Sequence, residues 1–196
     1  MSAYENRDDV LVLALPRGGV PVASEVAKKL HVPLDVFVVR KLGLPGYPEL
    51  AMGAIASGGV RSLNSEVLNS LKVPADVFEE VTARELREVE RREQAYRGAR
   101  PPPVVAGKTI ILVDDGIATG STMIAGIGAL RQQDASCIVA AAPVIATTTY
   151  PEIKRAADEV VAVLISDEFA GVGSFYEDFS QTTDEEVREL LRLPNE

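Results

Sequence analysis

Asp114 and Asp115 stand side by side at the end of the apolar run Ile110-Ile-Leu-Val, and Gly116, Ile117, Ala118, Thr119, Gly120, Ser121 and Thr122 follow directly. Two adjacent carboxylates closing a buried strand must face a ligand, a metal or water, because burying unpaired charge is costly. The loop behind them is small and rich in hydroxyls. Gly116 and Gly120 let backbone amides turn inward, and the helix that opens next carries positive partial charge at its N-terminus. Carboxylates accept hydrogen bonds from vicinal hydroxyls, while amides and the hydroxyls of Thr119, Ser121 and Thr122 hold a monophosphate. That chemistry suits a sugar phosphate. No Gly-Lys-Ser/Thr follows and the G-x-G-x-x-G spacing is absent, so neither a Walker loop nor a dinucleotide fingerprint is present.

A second anion-binding loop is Pro16-Arg17-Gly18-Gly19, placed after the apolar residues 10–15. Arginine binds phosphate oxygens bidentately, and a helix starting near Val20 adds its dipole. Arg40 and Lys41 follow the next apolar run. Lys41 is the preferred contact to a polyanion, whereas Arg40 either joins it or pairs with surface acids. Residues 42–50, with Gly43, Pro45, Gly46 and Pro48, read as a loop able to close over the site. Glu49 in that loop is either a substrate or arginine partner or a solvated acid.

These loops need strands to carry them. Residues 10–15, 34–39, 51–56, 110–113, 138–143 and 159–165 are short apolar runs, and helical spacing appears over 20–30, 121–133 and 150–157. Continuous apolar strands alternating with amphipathic helices predict an α/β domain with a mainly parallel central sheet covered by helices. Ligands then sit at the carboxyl ends of the strands, where all three candidate loops fall. Residues 75–98 differ: a thin stripe of Phe78, Val81, Leu86, Val89 and Tyr96 runs through dense charge, predicting a long, mostly solvated helix. Glu80 with Arg84 and Glu88 with Arg92 have the spacing of favourable pairs. The helix reads as a charged surface element, a dimer arm or the support of a lid. His31 reads as a helix-end or surface residue.

The 196 residues fit one domain, and 46% hydrophobic with 25% charged residues is an ordinary globular composition. A net charge of -9 opposes binding to a phosphate backbone, so nucleic acid is not an expected partner. No apolar run reaches membrane-spanning length, and the single cysteine, Cys137, reads as a buried inert thiol. A cytoplasmic protein is expected.

The Asp-Asp loop resembles the phosphoribosyl pyrophosphate motif of the type I phosphoribosyltransferase family. Pro16-Arg17-Gly18-Gly19 stands where that family places its pyrophosphate loop, and Arg40-Lys41 where relatives carry basic residues. More narrowly, Pro16-Arg-Gly-Gly-Val-Pro, Val113-Asp-Asp-Gly-Ile-Ala-Thr-Gly-Ser-Thr, Glu49-Leu-Ala-Met-Gly-Ala-Ile and residues 169–179 are similar to bacterial phosphoribosyltransferase-like proteins named for their fold. The resemblance runs from about residue 10 to 191.

The resemblance implies a single phosphoribosyltransferase domain over 1–196, with a helical insertion near 75–98, a C-terminal aromatic segment near 169–192 and a small hood. It implies an enzyme that uses magnesium and moves the phosphoribosyl group of phosphoribosyl pyrophosphate to a nucleobase or related nitrogen acceptor, possible homodimers included. A non-catalytic sensor of the same ligand is the other reading. Asp114, Asp115, Arg17 and Lys41 are the implied catalytic residues. Residues 114–122 would hold the ribose and 5-phosphate; Pro16, Arg17, Gly18, Gly19 and Lys41 would hold pyrophosphate, with a cis bond between Pro16 and Arg17. Magnesium would be held by substrate and water, near Asp114 and Asp115. Ile117, Phe169 and Tyr176 are candidate acceptor contacts, although an aromatic anchor on the sheet explains residues 169–179 equally well. Ala118 replaces the aspartate that relatives using 6-oxopurines carry, so the loop looks more like those of adenine and uracil phosphoribosyltransferases.

Overall fold

A computed structural model describes residues 2–192, leaving aside the side chains of Pro48 and Glu49. Strands β1 (Val10–Ala14), β2 (Leu34–Val36), β6 (Thr109–Val113), β7 (Cys137–Ala146) and β8 (Glu159–Ser166) form a wholly parallel sheet in the order β2-β1-β6-β7-β8. Between them, β3 (Val39–Leu44), β4 (Tyr47–Ala56) and β5 (Val60–Leu63) form a separate antiparallel sheet. The helices are α1 (Gly19–Leu30), α2 (Ser65–Ser70), α3 (Ala75–Arg97), α4 (Ser121–Gln132), α5 (Tyr150–Ala156) and α6 (Asp184–Arg192).

The central strands are apolar throughout because both faces are covered. Side chains alternate across a strand, and the two faces of β1 feed different cores. Leu11 and Leu13 pack with Ile110, Leu112, Met123 and Ile127 on the α4 side. Val10, Val12 and Ala14 pack with Val20, Ala23, Ile111 and Val187 on the side of α1 and α6.

Three expectations are corrected. The apolar run 34–39 is not one strand: β2 ends at Val36, and Val39 starts β3 in the other sheet. The run 51–56 belongs to β4 of that antiparallel sheet, so it takes no part in the parallel one. Residues 42–50 are not an open loop, because β3 and β4 pair as a hairpin with irregular register at Leu42 to Leu44. A single Gly46 at φ 83° suffices for the reversal, and the Gly/Pro content marks that turn. Cys137 is partly exposed at the start of β7, and burial with the nearby Asp158 charge raises its thiol pKa.

Helix α3 is less solvated than its composition suggests. Its apolar stripe, with Val81 and Val89 buried, packs over Val38, Leu42, Met52 and Ile55. Glu88 pairs with Arg92 at 2.7 Å, as the spacing predicts, but Arg84 pairs with its neighbour Glu85 at 3.0 Å and not with Glu80. Glu85 and Arg97 are buried. Arg97 Nε meets Asp35 at 2.8 Å, one terminal nitrogen meets Glu93 at 2.7 Å, and the other donates to the Val36 carbonyl at 2.7 Å. A buried guanidinium is tolerable because three acceptors surround it. It ties the end of α3 to the edge strand β2. His31 caps α1 in the left-handed region, at φ 53°.

Candidate active site

The two candidate loops leave adjacent parallel strands, β1 and β6, at their carboxyl ends, and they touch. Leu15 N donates to the Val113 carbonyl at 2.8 Å. A Cβ on Gly18 would lie 1.9 Å from Asp115 Oδ2, and one on Gly19 would lie 2.7 Å from the Val113 carbonyl oxygen. Only glycine allows this approach. The peptide bond between Pro16 and Arg17 is cis, as the resemblance implies. These contacts separate two substitutions. Gly18→Ala meets only the end of a side chain, so it should displace the Asp115 carboxylate and leave the fold intact. Gly19→Ala meets backbone, so it should destabilise by about 1–3 kcal/mol. Thermal melts of both variants check this, and equal melting temperatures would refute it.

Asp114 and Asp115 lie half-buried beyond β6. The Asp114 carboxylate accepts the Asp115 N–H at 2.9 Å. Burial, and then the Asp115 charge, raise the Asp114 pKa well above the usual carboxylate range; burial also raises that of Asp115. The loop then runs outward. Gly116 is so close to Val172 that a Cβ would come within 2.6 Å of its side chain. The Ile117 N–H bonds to the Val144 carbonyl at 2.9 Å, and the Ile117 side chain lies in the core. Ala118 and Thr119 are exposed, with the Thr119 and Ser121 hydroxyls 3.3 Å apart. Gly120, at φ 72°, caps α4, and Thr149 both holds the Ala118 carbonyl and leaves no room for a Cβ at Gly120. Ser121 and Thr122 begin α4 exposed.

The cations divide. Arg17 reaches Asp184 at the start of α6, at 3.4 Å. Arg40 turns to the buried Glu85 at 2.9 Å, which takes it out of the anion site as the charge-pairing alternative anticipates, although its partner is buried. Lys41 is exposed on the opposite strand face, the face of Val39, which packs toward Gly126 of α4. The expectation for Glu49 lies outside the described residues.

The C-terminal segment reaches the same place. The Tyr176 hydroxyl donates to the Asp115 carbonyl at 2.6 Å; burial, with the charges of Asp115 and Asp114, pushes its pKa up to about 12, so it remains a donor. Tyr176 stacks against Phe179, centroids 5.2 Å apart, and both line a cavity of about 1000 Å³ that also touches Arg17, Gly18 and Asp115. Phe169 packs on Phe175 at 5.3 Å, and neither it nor Ile117 lines that cavity. Sequence reasoning missed Asp184, which holds Arg17, and Val172, which covers Gly116. One signal was available: Thr183 and Glu186 have capping-box spacing, and they exchange those bonds, Thr183 N to Glu186 at 2.6 Å and Glu186 N to Thr183 at 3.2 Å. That places Asp184 in the first turn of α6.

Among the described residues no group of three or more His, Cys, Asp and Glu forms a metal cage, and no helix is long and apolar enough to cross a membrane. Two adjacent carboxylates at a hydroxyl-rich loop would fit a magnesium ion that takes most of its oxygen ligands from a bound ligand and water.

Comparison with known proteins agrees with this geometry. A profile described as Phosphoribosyl transferase domain matches residues 2–179. The chain belongs to that family. Two strains of Mycobacterium tuberculosis carry proteins named for phosphoribosyl transfer that are each 45% identical to it over 182 residues, 93% of this chain. The chain spans 41% of the length of those relatives. The crystal structure of the Thermus thermophilus protein TT1426 superposes with a TM-score of 0.84 at 40% identity, covering 95% of this chain and 88% of that one. The parallel sheet and the helices that cover it are therefore those of a phosphoribosyl transferase domain.

Proposed function

We propose that this chain transfers the 5-phosphoribosyl group of phosphoribosyl pyrophosphate to a ring nitrogen of a nucleobase or related heterocycle, with release of pyrophosphate. The observation that supports the reading is the contact of Gly18 with Asp115, which brings the Arg-Gly-Gly loop against the Asp-Asp loop. Asp114 and Asp115 accept hydrogen bonds from the ribose hydroxyls. Amides and hydroxyls from Gly116 through Thr122 hold the 5-phosphate at the N-terminus of α4. Pro16, Arg17, Gly18, Gly19 and Lys41 surround the pyrophosphate. Magnesium, held by the donor and water near Asp114 and Asp115, would neutralise pyrophosphate charge.

As the anomeric C–O bond breaks, its electron pair leaves on pyrophosphate, the acceptor nitrogen forms the new C–N bond and its proton passes to solvent. Positive charge develops on the ring beside the two carboxylates, where it is stabilised, while Arg17 and Lys41 stabilise the leaving group. The cavity bounded by Tyr176 and Phe179 opens from the same loops and offers aromatic faces to a flat acceptor. Aromatic stacking of this kind contributes about 1–3 kcal/mol per base elsewhere.

Pyrophosphate release across a panel of bases, beside calorimetry with magnesium and phosphoribosyl pyrophosphate, tests the reading. Turnover with at least one base is expected. Tight binding without turnover for any acceptor would favour the sensor, and no binding would end both readings.

A further inference from the structure

A second, smaller cavity of about 230 Å³ lies between the Arg17 loop and α3, lined by Arg17, Arg91, Arg92, Tyr96 and Asp184. Three guanidinium groups thus meet in one cleft of a chain whose net charge is -9. Two carboxylates hold them. Glu88 is shared between Arg91 at 2.8 Å and Arg92 at 2.7 Å, and those cations hold its pKa down at about 2. Asp184 is shared between Arg17 at 3.4 Å and the Tyr96 hydroxyl at 3.0 Å. Each guanidinium has five N–H donors, so donors remain for a further anion. The contact between Arg17 and Asp184 is long, and a dianionic phosphate, which accepts bidentate bonds from arginine, competes with it well.

The position narrows the ligand. Arg17 lines both cavities, so the small one adjoins the pyrophosphate loop. Its volume is below that of pockets that enclose whole small molecules, which start near 300 Å³, but it accommodates one phosphate with water. The buried bonds of Arg97 to Asp35 and Val36 hold the end of α3 in place, and Arg91 and Arg92 lie within two turns of that anchor.

We propose that this cavity is a phosphate subsite that receives the outer phosphate of the donor's pyrophosphate group, with Arg91 and Arg92 of α3 joining Arg17 as its hydrogen-bond donors. Asp184 parks Arg17 until the anion arrives. The identity of the donor rests on the proposed function above; the affinity of the cavity for pyrophosphate does not.

The test titrates inorganic pyrophosphate, ribose 5-phosphate and phosphoribosyl pyrophosphate, each with magnesium, into the full chain by calorimetry. The variants are the double Arg91→Gln, Arg92→Gln and the single Glu88→Gln, each checked for folding by its thermal melt. The double variant should bind pyrophosphate and phosphoribosyl pyrophosphate about tenfold more weakly or worse, with ribose 5-phosphate unaffected. Glu88→Gln, which releases both guanidiniums, should bind pyrophosphate more tightly. Unchanged pyrophosphate affinity in both variants, or a loss falling equally on ribose 5-phosphate, overturns the subsite. Wild-type protein that binds pyrophosphate in this arginine-dependent way but ignores phosphoribosyl pyrophosphate overturns the donor assignment and leaves the subsite standing.

Discussion

Asp114→Asn should lower turnover on the order of 100-fold and at the same time raise the melting temperature at neutral pH by about 2–4 °C. The two effects share one cause. Burial and the adjacent Asp115 raise the Asp114 pKa, so the fold favours the protonated acid, while the proposed role in holding ribose hydroxyls calls for the carboxylate. A carboxyl whose folded pKa is raised stabilises the protein fully below the unfolded carboxylate value, and that contribution is lost as pH climbs through the folded value. At neutral pH Asp114 therefore carries a stability cost at the end of β6, whether it holds its proton or buries its charge, and asparagine removes that cost. Single substitutions that relieve such a conflict commonly give about 1 kcal/mol. Melting curves from pH 4 to 8 should show the wild type losing ground to the variant as pH rises. A variant that melts in parallel with the wild type throughout, or that keeps full turnover, would remove Asp114 from the role assigned to it.

Arg97→Ala should cost about 3–5 kcal/mol, the largest stability effect expected of an exchange outside the apolar core. The substitution leaves Asp35 and Glu93 facing each other without the cation that holds both, and it frees the Val36 carbonyl at the edge of the sheet. At about 2–4 °C per kcal/mol the melting temperature should fall by about 10 °C. Combining Arg97→Met with Asp35→Asn should recover part of the loss, because the penalty arises from the stranded charge more than from the missing bond. A drop of under about 1 kcal/mol in urea titration would show that α3 is held by its apolar stripe alone.

Strand-end placement of the loops was legible because β1 is apolar at every position and β6 at every position after Thr109, and a strand that never alternates must be buried on both faces. The Asp-Asp and Arg-Gly-Gly loops were legible for a related reason: charge and glycine directly after such strands have little other use. The antiparallel sheet was not. Residues 34–44 contain no turn residue between Val36 and Val39, and the chain changes sheets there through Phe37 and Val38, both buried, so hydropathy shows no break. Glu85 and Arg97 escaped for the opposite reason. Each looks like its exposed neighbours on a charged helix, and only the partner supplied from another element, Arg40 or Asp35, reveals that it is inside. The role of Asp184 depends on α6 folding back over α1 and α3, a long-range fact that no local pattern encodes.

The β3–β5 sheet has an apolar cluster of its own, in which Val38, Leu42, Met52 and Ile55 close against Val81 and Val89 of α3. Lys41 rides on that unit, whereas the Asp114 and Arg17 loops ride on the parallel sheet. On the proposed function, the domain is thus divisible into a constant part that would grip the sugar phosphate and an exchangeable part that would bring a cation to it. A chimera that replaces residues 39–63 with those of a homologous domain should keep ribose 5-phosphate affinity and alter only what depends on the transplanted side chains.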